Sequence, residues 1–426
     1  SRIFIAATKP TGMRVAFVSL YPDQLSSDGA TRRTRRVAER LVARGHEVVF
    51  LCAQWWGGPL DEFEHNGVEY VAVVEEPAVR TFASKLPFAL RRASPDVIHA
   101  TNSPPAQAVA AKTAARILRV PVVVDWWARR ADDSTRMLRR ATKGADRVLA
   151  PSRLVKTDVR EYGAAADDVT LVPESIDFDL VREAGVDNRA DLVYARDLDE
   201  HANVESFLLA LAELRGRDWR AAVVGDGPER DAAEETAAEL RIDDRVSFLG
   251  DLDPEEFVPI LKGAHVFAQT ATVEPFARGL LWALACGCVG IVEYQARSSG
   301  HELVENLDRG ARVTSPQELA DEVVAAAYGR EIIRLTLVSF GLLAVLVVVF
   351  ARPIAGLFTT DPGTLDLTVP FVRVGAVAAI ALGIDRTTTG ALRGAGDTRW
   401  PFYGSLVGLY FFALPTAYLG VVTPLG

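Results

Sequence analysis

Ten short apolar runs, each followed by a longer charged stretch with helical character, occupy the chain from Val15 to Val292. The runs are Val15–Ser19, Val48–Cys52, Val97–Ala100, Val120–Val124, Val148–Ala150, Leu192–Ala195, Ala221–Val224, Val246–Leu249, Val266–Ala268 and Val289–Val292. Several are continuous β-branched segments, the pattern of strands buried on both faces of a parallel sheet. Parallel neighbours need a crossover, and the charged stretches supply it as helices, so the chain reads as repeated βαβ units. A polar junction around residues 173–190 divides two such series. The expected fold is therefore α/β, with two doubly wound Rossmann-like domains facing a cleft and ligands held at the carboxyl ends of the strands.

The texture changes after Gly329. Leu335–Ala351 is apolar except for Thr336 and Ser339, Val369–Ile384 is apolar around Arg373, and Tyr403–Val422 carries no charge. A membrane span needs roughly 20 apolar residues, within a range of about 17–25. Three such stretches in the last quarter of the chain predict an all-α membrane segment of about three helices. The expected organisation is a leader at residues 1–12, read as non-native because Met13 opens the first strand-like run, an acceptor-side domain at 13–178, a donor-binding domain at 179–328 and a hydrophobic segment at 329–426.

A net charge of −9 argues against a nucleic-acid partner. The three cysteines form no disulfide framework, and neither they nor the six histidines show metal-ligand spacing, so no metal site is expected. The cysteines read as small buried thiols in a reducing cytoplasm.

Chemistry-bearing residues gather where strands should pass into helices. Gly29 follows Asp28 before a helix; it suits close approach by a ligand, or an ordinary connecting loop. Arg32, Arg36 and Arg40 then share one stripe, with Arg33 and Arg35 beside it. Cations in a first turn oppose the helix dipole, which fits either an anionic partner or a solvated charged face. Arg196 ends the run Leu192–Ala195. The segment "VVGDGPER" places Gly225 and Gly227 between a strand and a helix start. In "EPFARGLLW", Glu274 precedes a turn and Arg278 and Gly279 open an apolar helix, whose first amides are unpaired and attract anions.

These pieces, in order, resemble family 4 glycosyltransferases, retaining enzymes of the GT-B fold. The second half carries "LVYAR", "VVGDGPER", "RVSFLG", "EPFARGLLWALACG" and "HELVE"; the first carries "MRVAFVSLYP", "RRVAERLVARGHEVVFL", "PDVIHA", "ADRVLAPSRLVKTDV" and "VTLVPESIDF". The resemblance spans about residues 13–327. It implies that Glu274 hydrogen-bonds hydroxyls of a donor sugar and that amides from Phe276, Ala277, Arg278, Gly279 and Leu280 cradle a diphosphate. It also implies that Arg196 offsets the charge on the departing nucleotide, without a metal and with the nucleotide sugar as substrate and no further cofactor. Three positions depart from the family pattern. Trp282 stands where a second glutamate usually holds the nucleotide ribose. His201 lies in "DEHANVE" where a lysine is usual, and Arg278 is placed to supply the lost charge. "DWWARR" puts Trp126 and Trp127 on the acceptor side, to stack on a sugar ring or to pack in the core.

The tail, from about Gly329, resembles a fragment of multidrug and toxic compound extrusion (MATE) transporters through "FARPIAGLFTTDPGTLDLTVPFVRV" and "GALRGAGDTRWPFY". The combined expectation is a retaining glycosyltransferase fused to a MATE-like fragment, at the cytoplasmic face of the cell membrane, with a nucleotide sugar, a glycan, lipid or small-molecule acceptor and the membrane as partners. The alternatives are a degenerate nucleotide-sugar-binding protein or a partial transporter.

Overall fold

The computed structural model describes residues 12–26, 28–128, 133–376 and 379. Two compact units divide the chain, Ser1–Ala320 and Asp321–Gly426. The first unit holds two sheets. One contains β1 (Arg14–Val18), β2 (Glu47–Ala53), β3 (Glu62–His65), β4 (Val68–Val74), β5 (Val97–Thr101), β6 (Val122–Asp125), β7 (Arg147–Ala150) and β8 (Val169–Leu171), in the order β3-β4-β2-β1-β5-β6-β7-β8. The other contains β9 (Leu192–Ala195), β10 (Ala221–Val224), β11 (Val246–Gly250), β12 (Val266–Gln269), β14 (Val289–Glu293) and β16 (Gly310–Val313), in the order β11-β10-β9-β12-β14-β16. Between them in sequence, β13 (Val273–Glu274) and β15 (Arg297–Ser298) make a separate two-stranded ladder.

Each of the ten apolar runs becomes a strand within a residue or two of its expected ends. Val120–Val124 starts late, at Val122, because Pro121 has no N–H to give the ladder. Both sheets are parallel except where β3 pairs antiparallel with β4. That hairpin turns on Asn66 and Gly67, both at positive φ (51° and 74°), the backbone that an Asn-Gly turn adopts most readily. Apolar side chains leave both faces of the first sheet. Val18, Leu51 and Ile98 pack with Leu86 and Leu90 of the helix Val79–Ala93, while Phe17, Phe50 and Tyr70 stack on the other side. Cys52 and Cys288 are buried free thiols.

Strand order reverses beside β1 in the first sheet and beside β9 in the second. At such a switch point the loops leaving neighbouring strands diverge and open a crevice at the carboxyl edge. The two crevices face each other. The lobes are joined there by Arg32, whose Nη2 lies 3.1 Å from Asp197 Oδ2. A second tie lies on the helix Arg153–Glu161. Glu302 of the second lobe accepts from the Arg153 and Leu154 amides of the first, both at 2.8 Å, while Ser152 Oγ accepts from Val155 N. Glu305 pairs with Arg153 beside it. The orphan amides of that helix are thus satisfied in part by a carboxylate from across the cleft.

In the second unit the helix Pro316–Val349 carries the first apolar stretch, the short helix Ala351–Gly356 follows, and residues 362–376 are helical. Among the described residues, no helix is long and apolar enough to cross a membrane. This differs from the expected three-helix membrane segment. The apolar run of the helix, from Leu335 to its end at Val349, measures about 22 Å at 1.5 Å per residue, against a hydrocarbon core of about 30 Å. The second stretch continues beyond 376, and the third, Tyr403–Val422, lies outside the described residues, as does the leader up to residue 11.

The trans-lobe cap yields a direct expectation. Glu302→Ala should cost about 1–2 kcal/mol, the usual worth of a helix cap, and should enlarge the radius of gyration in small-angle scattering by loosening the lobes. A variant with unchanged melting temperature and unchanged scattering would remove the cap from any role in lobe docking.

Candidate active site

A cleft of about 950 Å³ lies between the lobes, lined by the carboxyl-end loops of β9, β10 and β12 and by the helix Gly29–Ala43. Arg196 leaves β9 into this cleft. Its Nη2 donates to both oxygens of Asp199 at 3.0 and 3.1 Å, and its Nη1 donates to Val273 O at 3.1 Å. Nη1 also lies 3.6 Å from Glu274 Oε2, and the two side chains are 14% and 15% exposed. The guanidinium is therefore fixed from three sides before any ligand arrives.

Glu274 is positioned by the β13–β15 ladder. Ser299 N donates to Glu274 O at 2.8 Å, and Ser299 Oγ donates to Pro275 O at 2.8 Å. Glu274 Oε1 accepts from Phe276 N at 3.3 Å. Burial dominates its titration and pushes it up to about 7, against the opposing pull of Arg196 and the Phe276 amide. Near neutral pH the carboxyl is thus poised between acceptor-only and donor forms.

The turn then enters the helix Arg278–Cys286, with Ala277 at its cap and no side chain closing it. By helix geometry its first amides, including those of Gly279 and Leu280, have no partner within the helix. Gly279 sits where a Cβ would lie 2.8 Å from Ala195 O, so only glycine lets this helix start abut the end of β9. Phe276, Ala277 and Leu280 are buried around it. Across the turn after β10, Gly225 (φ 123°) and Gly227 (φ 153°) pass against the carbonyls of Arg196 and Leu198; a Cβ at Gly225 would lie 2.0 Å from Arg196 O.

The remaining expected residues divide. Gly29 opens its helix on the cleft wall, beneath the Trp127 indole. His201 lines the cleft, but its ring faces Glu200 at 3.6 Å and its carbonyl serves Thr272 N. Trp282 is buried, 3% exposed, in the core of the second lobe, with the Arg278 guanidinium 5.7 Å from its ring centroid. Trp126 is core, stacked on Tyr162, whereas Trp127 is half-buried and lines the cleft.

The arginine stripe resolves differently from a solvated face. Arg33 is 4% exposed, with Nε 3.1 Å from Asp125 Oδ2 and Nη1 3.3 Å from Glu174 Oε1. Arg36 also pairs with Glu174, and Arg35 lies 3.0 Å from Asp23. Arg40 alone of the stripe is exposed. Burial pushes the Asp125 carboxyl up, but the hydrogen bond with His99 at 3.3 Å and the Arg33 guanidinium together hold it below its ordinary range. Asp199 and Glu174 line the cleft and Asp125 holds Arg33 behind it, and the motif reading passed over all three. Asp199 lies three residues after Arg196, a spacing that carried a signal; Asp125 and Glu174 meet only through long-range folding. Among the described residues no cluster of three or more His, Cys, Asp or Glu side chains is placed to hold a metal.

Residues 27–180 match the family Glycosyltransferase Family 4, residues 177–327 match Glycosyl transferases group 1, and residues 320–419 match MatE. The chain is a glycosyltransferase-family sequence fused to a MATE-like fragment. It is 25% identical over 284 residues to N-acetyl-alpha-D-glucosaminyl L-malate synthase of Bacillus anthracis, a match covering 60% of this chain and 73% of that one. Its tail is 30% identical over 77 residues to a probable multidrug resistance protein NorM of Thermotoga maritima, covering 18% of this chain and 17% of the transporter. The crystal structure of Anabaena HepE in complex with UDP superposes with a TM-score of 0.59 at 18% identity, covering 74% of this chain and 90% of that one. The fold is GT-B-like, with parallel sheets in both lobes of the glycosyltransferase part.

The raised Glu274 carboxyl carries a stability consequence. Its folded-state value, about 7, lies above the ordinary 4.5, so the folded state holds the proton more tightly. The ionised form therefore costs stability, a cost that grows as pH rises from the ordinary value to about 7 and levels off above it. Glu274→Gln should raise the melting temperature of the ligand-free protein at pH 8, with a gain that shrinks toward pH 4. A flat difference across that range would show that burial does not strain the carboxylate.

Proposed function

We propose that this chain is a retaining, metal-independent glycosyltransferase that moves a sugar from a nucleotide sugar to a glycan, lipid or small-molecule acceptor. The observation that carries the reading is the meeting of Arg196 and Glu274, 3.6 Å apart, before the open N-terminus of the helix Arg278–Cys286. Transfer breaks the bond between the anomeric carbon and a phosphate oxygen, and negative charge grows on the leaving diphosphate. A fixed guanidinium and the unpaired amides at a helix start stabilise that charge without reorganising. Glu274, deprotonated, accepts hydrogen bonds from sugar hydroxyls and orients the donor. The complex of HepE with UDP supports a donor of this class, as does the sugar-transfer activity named for the malate synthase. In this reading residues 13–178 form the acceptor side and 179–328 the donor side.

The tail from 329 would hold the enzyme at the cytoplasmic face of a membrane. The MatE match supports this, together with the exposed apolar side chains of its first helix, among them Leu342, Val345 and Val349. One observation favours a second reading, a nucleotide-sugar-binding protein without transfer. Trp282, in the place of the family's second glutamate, is buried and offers no acceptor to a ribose.

Arg196→Ala and Glu274→Ala should each lower turnover by about 100-fold or more, the usual effect of removing one charge-stabilising donor, with the fold intact by circular dichroism. Turnover equal to wild type in either variant would refute the assignment. Donor binding without consumption, in a panel of nucleotide sugars and acceptors, would favour the non-transferring reading. The full chain should pellet with membranes and resist carbonate extraction; release by carbonate would refute membrane anchoring by the tail.

A further inference from the structure

Arg278 breaks two local rules at once. It is a cation in the first turn of a helix, where the dipole is already positive. Its guanidinium also faces the Arg32 and Arg36 side of the opposite lobe across the cleft, and burial first, then repulsion by Arg36 and Arg32 against the pull of Glu174, holds its titration down at about 10. The carboxylates that could relieve this are engaged elsewhere. Glu174 is shared by Arg33 and Arg36, and Asp197 pairs with Arg32. Among the described residues Arg278 has no carboxylate within ion-pair distance, and its buried Nε has no hydrogen-bond partner. The side chain is nevertheless held in place, with its guanidinium over the Trp282 ring at 5.7 Å. A fixed, half-buried cation without an anion, beside unpaired amides, is stable at modest cost only if the space before it is built to receive negative charge.

We propose that Arg278 is a second phosphate-binding cation of the donor site, closing with Arg32 and Arg36 from the other lobe on the diphosphate of the bound nucleotide. This rests on the donor-site reading above and adds a substrate contact to it. Arg196 grips the diphosphate from the floor, at the end of β9; Arg278 grips it from the helix start. The guanidinium carries donors only, so its partner must be an acceptor such as a phosphate oxygen. Trp282 acts beneath it as the platform that sets its direction, which gives the burial of that indole a positioning role.

The test is calorimetric titration of the full chain with inorganic pyrophosphate, UDP, GDP and ADP, and with uridine as the phosphate-free control, for wild type, Arg278→Leu, Arg278→Lys and Arg196→Ala. Arg278→Leu should weaken pyrophosphate and the favoured nucleoside diphosphate by about tenfold or more, as expected for loss of a charge-assisted hydrogen bond. Arg278→Lys should restore part of the loss, and uridine should be indifferent to all three. In the absence of ligand Arg278→Leu should melt no lower than wild type, since it removes an uncompensated cation; if it unfolds, Arg278→Gln takes its place in the titration. Affinity within twofold of wild type for both pyrophosphate and the nucleoside diphosphate overturns the proposal, and leaves the donor site standing if Arg196→Ala weakens them. Wild type that binds neither pyrophosphate nor any of the three nucleoside diphosphates overturns the donor-site reading together with this one.

Discussion

A parallel strand cannot pass its chain directly to its neighbour, because the next strand starts at the opposite edge of the sheet. This constraint organises the glycosyltransferase part of the molecule. Every strand must be followed by a crossover, and every crossover begins at the carboxyl edge, so all the loops that follow strands collect on one side of each sheet. Strand order reverses beside β1 and β9, and there the loops part. Arg196, the Gly225–Gly227 turn and Glu274 come from three different βα junctions, separated by tens of residues, yet they share one cleft for this reason alone. No residue of the site needs to be near another in sequence, and the glycines matter because three junctions must crowd into the same space.

Charge is distributed across that cleft by lobe. The first lobe buries one arginine, Arg33, and turns Arg32 and Arg36 to the cleft. Arg33 is sealed between Asp125 and Glu174, which ties the helix Gly29–Ala43 to β6 and to the connection into the second lobe. A buried ion pair of this kind is poor evidence of stability, since desolvation offsets much of the attraction; breaking it is costly because the partner left behind stays buried and charged. Its effect is geometric, since it fixes the rotation of the helix whose other arginines face the cleft. In the second lobe Glu274 is raised by burial and Arg278 is lowered by it, and both face the cavity. Both shifts have burial as their first cause, so a rigid ladder and a rigid helix hold two poorly solvated charges at one cleft wall.

The legibility of the fold follows the range of the interactions involved. The ten apolar runs announce themselves by composition and each is a strand, but β3, β4, β8, β13, β15 and β16 were not read. β3 and β13 show two different reasons. β3 is a charged edge strand with no apolar run, marked only by its Asn-Gly turn. β13 is two residues long and exists because Arg297 and Ser298 come back to pair with it. The same division holds in the site. Arg196, Glu274 and the glycines were readable because each stands at a junction between a strand and a helix. Glu174 was not, since nothing in "VPESID" shows that its carboxyl will meet two arginines from residues 33 and 36. The arginine stripe was legible as a charged surface, but the surface is an interior one; periodicity gives the face of a helix and says nothing about what covers it.

The tail obeys its local rules while leaving the larger ones unmet. Asp361 caps the helical stretch 362–376 by accepting from Thr364 N at 2.8 Å, and Arg352 meets Asp366 at 3.2 Å, so the short connection after Ala351–Gly356 is specified by its own residues. The helix before it has no comparable logic in water. A helix that is apolar around its circumference has no polar face to present, and stands only where something apolar covers it. Leu342, Leu343, Val345, Leu346 and Val349 are all more than half exposed. The matched transporter is long enough for this chain to cover only 17% of it, so the partners such a helix would have there are mostly sequence this segment does not align with. Local capping sets where helices begin and end, whereas their burial is a collective property. The apolar stretches Leu335–Ala351 and Val369–Ile384 give neither: the first helix stops at Val349 and the later helical stretch starts at residue 362, where Asp361 caps it, and apolarity alone does not say what covers their surface.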